Sequence, residues 1–156
     1  MGCNCSNNNL QILKGNTGAP GAVPGVVTTG GAGGAVVLTG AQNGVTFAFD
    51  SANIGVTLPS PVVGLSYNFV TVTAAGTQTI TAPGAIYTGG TLSTVTANDA
   101  LYYAPNGTTN NIITMNAGNG GQPGTNLNAT CYVAGKWVIS GNVIGALAPL
   151  TTLYSG

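Results

Sequence analysis

The segment Gly44-Val45-Thr46-Phe47-Ala48-Phe49-Asp50 decides how the chain is read. Val45, Phe47 and Phe49 fall on one side of an extended backbone, and Thr46, Ala48 and Asp50 on the other. A period of two with aromatic residues in register is the signature of a half-buried β-strand. The same grammar recurs on either side. Ala35 to Thr39 is an apolar run, Ile54 to Leu58 is stopped by Pro59 and Pro61, and Leu65 to Thr73 places Leu65, Tyr67 and Phe69 on one face. Further strands are expected at 77–81, 85–87, 91–96, 100–103 and 111–115. A Gly/Asn/Pro loop follows over 116–126. Leu127 to Val133 and Lys136 to Ser140 then read as a hairpin joined by Ala134-Gly135.

No stretch keeps a 3.6-residue period, and Thr, Val, Tyr, Phe and Ile suit a pleated surface. Turn signals every 8–12 residues predict an all-β body, a β-sandwich or jelly-roll-like fold. Trp137, the sole tryptophan, is expected in its core, with Cys131 as a small core residue. The organisation reads as an extended Gly/Pro-rich N-terminal arm over 1–34, a body over 35–141 and a C-terminal tail over 142–156. Within the arm, Gly15, Gly18 and Gly21 follow a collagen-like period that breaks at Pro24. Too few triplets remain for a triple helix, and an extended linker is the simpler reading.

Charge narrows the function. Lys14, Asp50, Asp99 and Lys136 are the only charged side chains, 3% of the chain against roughly 25% in ordinary soluble proteins. There is no His, Glu or Arg, and the two Asp residues lie 49 positions apart. Acid–base and nucleophilic catalysis draw on the groups that are missing, so no catalytic residue is assigned and no enzyme is expected. Two lysines cannot neutralise a phosphate backbone, which argues against nucleic acid. No apolar run approaches the ~20 residues of a membrane span, and Met1 to Leu13 lacks the basic start and apolar core of a secretory signal. A nearly uncharged surface has little protection against self-association, which favours a subunit of an assembly.

The remaining motifs are weak. Cys3-Asn4-Cys5 has too few companions for a structural zinc site, so no metal or cofactor is expected. Cys3 and Cys5 are candidates for an intermolecular disulfide. Gly2 with Ser6 also fits a myristoylation pattern. Asn4, Asn106 and Asn128 head glycosylation triplets of a kind that an Asn/Thr-rich chain produces by chance. Asp50 and Asp99 are candidate calcium ligands, although Asp50 is better read as closing a turn.

Taken in order, Gly44 to Asp50, Thr57-Leu58-Pro59, Gly64-Leu65-Ser66-Tyr67-Asn68-Phe69, Ile112 to Met115 and Gly135 to Gly141 form a pattern. That pattern resembles a β domain recurring in virion surface proteins of tailed phages, notably marine and cyanobacterial ones. The resemblance covers about residues 35–141. It implies a capsid decoration or cement protein on the capsid exterior, commonly a homotrimer, that binds the major capsid protein and stabilises the shell, with an arm reaching along it. Leu10, Ile12 and Leu13 in the arm, and Leu147, Leu150, Leu153 and Tyr154 in the tail, are the apolar residues expected at the interface. Two alternatives are a tail or fibre module that contacts host carbohydrate, with Tyr102 and Tyr103 as stacking residues, and a subunit of an extracellular filament.

Overall fold

A computed structural model describes residues 34–82 and 111–145, together with the backbone pairing of Val26–Thr28, Ile86–Tyr87, Thr91–Thr94, Leu101–Tyr103 and Tyr154–Ser155. The described residues form thirteen strands: β1 (Val26–Thr28), β2 (Ala35–Val37), β3 (Thr46–Phe49), β4 (Asn53–Thr57), β5 (Ser66–Thr71), β6 (Thr77–Thr81), β7 (Ile86–Tyr87), β8 (Thr91–Thr94), β9 (Leu101–Tyr103), β10 (Ile112–Met115), β11 (Asn126–Val133), β12 (Lys136–Val143) and β13 (Tyr154–Ser155). They make two sheets. One runs β1-β3-β5-β11-β12-β8-β9 with β7 also on β12; the other runs β13-β10-β6-β4-β2. The body is thus an all-β sandwich.

The connectivity is less usual. From β1 to β6 the chain alternates between sheets, odd strands in the first and even strands in the second. Within each sheet these strands pair in parallel: β1 with β3, β3 with β5, β2 with β4, β4 with β6. Parallel neighbours need a long crossover, usually a helix. Here the crossover is a strand of the opposite sheet, so the first half winds as a flattened coil. The second half closes it with antiparallel pairs: β10 on β6, β11 on β5, and β12 on β11.

Register carries the inward residues across the sheets in rows. Phe47 pairs with Phe69, and Phe69 with Leu127. Val56 pairs with Ile80, and Ile80 with Ile113. Both rows belong to one core with Trp137, Tyr67 and Phe49. Phe47 meets Phe49 edge-on at 5.1 Å between ring centroids, a favoured aromatic geometry. The alternation of β3 holds for Val45, Phe47 and Phe49, but Ala48 is buried as well. Cys131 is a buried free thiol, and its Sγ faces the Val133 carbonyl at 3.3 Å.

One buried amide ties coil to turn. Gln78 on β6 points inward between apolar neighbours. Its Nε2 donates to the Ser51 carbonyl at 2.9 Å and the Thr73 carbonyl at 3.0 Å, and its Oε1 accepts from Thr71 Oγ1 at 3.3 Å. These bonds satisfy two carbonyls at the β3–β4 and β5–β6 connections, which makes the buried polar group tolerable.

Candidate functional site

The most distinctive surface lies where the β4–β5 connection meets the β11–β12 hairpin. Pro59 and Pro61 end β4, because a proline supplies no ladder donor. The chain then turns through Val62, Val63 and Gly64; Gly64 takes φ 93°, a conformation glycine accepts freely. Backbone bonds hold this turn to the hairpin. Gly64 N–H donates to the Cys131 carbonyl at 3.0 Å, Cys131 N–H to the Leu65 carbonyl at 2.9 Å, and Gly135 N–H to the Pro61 carbonyl at 3.2 Å. From the other side, Asn43 Oδ1 accepts from Ser66 N–H at 2.7 Å and Asn43 Nδ2 donates to the Gly64 carbonyl at 3.3 Å.

This framework presents apolar side chains to water. Val62, Val63, Tyr132 and Val133 are 60%, 59%, 68% and 60% exposed. The register of β11 on β12 shifts between Thr130 and Val133, and there the alternation of buried and exposed residues along β11 breaks. The backbone bonds between turn and hairpin gather these four exposed apolar side chains at one end of the body, and exposed apolar groups gathered in this way mark a candidate interaction surface. Lys136 stands exposed beside them at the start of β12.

Alongside runs a ladder of uncharged polar groups on the outer face of β5 and β11. Asn128 Nδ2 donates to Asn68 Oδ1 at 2.8 Å and to Ser66 Oγ at 3.3 Å. Thr130 Oγ1 donates to Asn128 Oδ1 at 2.5 Å and lies 3.3 Å from Ser66 Oγ. Asn128, which heads a glycosylation triplet, is therefore partly buried and engaged in this ladder. Among the described residues, no group of three or more His, Cys, Asp or Glu side chains is placed to hold a metal ion. Asp50 stands at the β3–β4 turn, where its carbonyl accepts from Thr73 Oγ1 at 2.9 Å.

Of the residues singled out in the sequence, Cys3, Cys5, Leu10, Ile12, Leu13, Asp99, Leu147, Leu150 and Leu153 lie outside the described residues. Tyr102, Tyr103 and Tyr154 are placed only as members of β9 and β13. Val62, Val63, Tyr132 and Val133 were not anticipated. Their signal was two paired apolar residues beside turn residues, Val62-Val63 before Gly64 and Tyr132-Val133 before Ala134-Gly135. Adjacent residues of a strand face opposite ways, so such a pair cannot be buried whole on one face. Comparison with family models, curated proteins and solved structures finds no match.

Proposed function

We propose that the chain is a non-enzymatic virion structural protein, a capsid decoration protein that stabilises the outer shell as a homotrimer. The observation that carries this reading is the apolar end formed by Val62, Val63, Tyr132 and Val133 on a chain with only four charged side chains. A surface of this kind gains free energy by leaving water, and Lys136 beside Val133 is the charge that stays at its margin. On a symmetric shell, many copies of a small contact add up through effective concentration. The resemblance of the motif order, Gly44 to Asp50 through Gly135 to Gly141, to phage surface domains supports a place on the capsid exterior.

A second reading is favoured by the amide and hydroxyl ladder of Ser66, Asn68, Asn128 and Thr130 beside exposed Tyr132. Uncharged hydrogen-bonding groups next to an aromatic ring suit a sugar, as a tail or fibre module requires. Copy number separates the readings. Quantitative mass spectrometry of particles that carry this chain should find it in proportion to the main shell subunit. A few copies per particle indicates the tail module. Polymers of the purified chain without any shell indicate a filament and overturn the decoration reading.

A further inference from the structure

Among the described residues the coil ends at β2, the edge strand of its sheet. Two bonds fix the phase of that edge. Gly55 N–H donates to the Gly34 carbonyl at 3.3 Å, and Leu38 N–H donates to the Thr57 carbonyl at 2.9 Å. With Val36 opposite Val56, residues 34, 36 and 38 turn their backbone groups toward β4. Backbone direction alternates along a strand, so the N–H and C=O of Ala35 and of Val37 point away from the sheet.

Edge strands are ordinarily defended by lysine, proline, a bulge or a covering element. The segment Gly34-Ala35-Val36-Val37-Leu38 contains neither charge nor proline. Its pairing to β4 is regular through all three residues of the strand. Val37 is 65% exposed, while Val36 packs against the core.

We infer that β2 is a docking edge for β2 of a second copy of this chain, paired antiparallel about a two-fold axis at Val36. The register follows from the phase. Antiparallel partners alternate between pairs that exchange both backbone bonds and pairs that exchange none. A two-fold at Val36 sets Ala35 opposite Val37 of the second copy, and Val37 opposite its Ala35. Both are bond-exchanging pairs, and together they use all four outward groups on each strand. The Val36 pair on the axis exchanges none, as required, because its backbone groups are already committed to β4. A two-fold contact is self-complementary and closes, so it joins two copies without running on into a fibre. The absence of charge on the strand removes the repulsion that two identical edges otherwise meet.

This inference is independent of any shell, and its test contains none. The full-length chain is measured by light scattering and by amide hydrogen exchange, with Val37→Pro for comparison. Proline at 37 removes an outward N–H and no bond to β4, so the sheet stays intact. The expected results are that Val37→Pro halves the mass of the assembly, whether the joined units are monomers or trimers, and that wild-type Ala35 and Val37 amides exchange as slowly as the internal amide of Val56. Unchanged mass in a folded Val37→Pro variant overturns the inference. So does fast exchange at Ala35 and Val37 of the wild type, a result that stands even if the variant fails to fold. Slow exchange in a wild-type monomer also overturns it, since the chain would then cover its own edge.

Discussion

Tyr67 and Trp137 pack with ring centroids 5.7 Å apart, yet their polar atoms differ in circumstance. Tyr67 Oη donates to the Thr39 carbonyl at 2.9 Å. The buried Trp137 Nε1–H meets no acceptor among the described residues. The pair spans β5 and β12, which flank β11, so it reaches across a strand that it does not belong to. Tyr67→Phe keeps the ring and loses one bond, for a cost of about 1 kcal/mol in chemical denaturation. Trp137→Ala empties the centre of the core and should cost about 3–5 kcal/mol, with loss of the near-ultraviolet circular dichroism.

The same tyrosine sets a pH response. Burial raises the Tyr67 hydroxyl above its ordinary value of 10.0, because the phenolate is poorly solvated there. The folded state therefore holds this proton more tightly than the unfolded state. That contribution to stability is complete below pH 10.0 and is lost as pH rises through the folded value. Melting temperature should fall more steeply above pH 10.0 in the wild type than in Tyr67→Phe. With no histidine in the sequence, it should change little between about pH 5 and 8.

Gln78→Leu is close in volume but strips the donors from the Ser51 and Thr73 carbonyls and the acceptor from Thr71. Groups left buried without partners cost about 1–3 kcal/mol, so the melting temperature should drop by about 3–10 °C. A variant as stable as the wild type would mean that water reaches these groups.

Gly141 combines φ 141° with a neighbour at its back: an added Cβ would collide with the Asn126 carbonyl oxygen of the paired strand. Gly141→Ala should cost at least about 1–3 kcal/mol through backbone conformation alone. Urea denaturation measures it. Gly135→Ala is the useful comparison, since an added Cβ there meets nothing within 4 Å and only its φ of 80° is unfavourable.

At the apolar end, Val63→Ser and Val133→Ser should leave stability within about 0.5 kcal/mol, because both side chains are already largely in water. Binding to particles should weaken by contrast. It should also change little between low and high salt, since few charges are available to be screened. Loss of stability equal to loss of binding would reassign these valines to a structural role.

Strand content was legible because alternation, turn residues and proline stops are local. Tyr67 and Phe69 were correctly placed inward, and the β11–β12 hairpin stands where Ala134-Gly135 announced it, although β12 runs on to Val143. Partner and direction were not legible. An outward Thr at 57 or 79 reads the same whether the neighbouring strand runs parallel or antiparallel. The coil of β1 to β6 therefore left no trace in periodicity. The apolar end stayed hidden for a related reason: Tyr132 and Val133 look like the last residues of a buried strand until the register shift is seen.

The closing of the coil by distant strands governs how the protein can be made. Asn68 and Asn128, hydrogen-bonded across the sheet, are separated by 60 residues. At ribosomal rates of roughly 5–20 residues per second, β5 waits about 3–12 seconds for β11 to be synthesised. Throughout that interval the nascent coil offers the unpaired margin of β5, and until β10 is made that of β6, to every neighbouring chain on the same message. Crowded synthesis is thus the moment of greatest hazard, and the yield of folded protein should depend on how widely ribosomes are spaced.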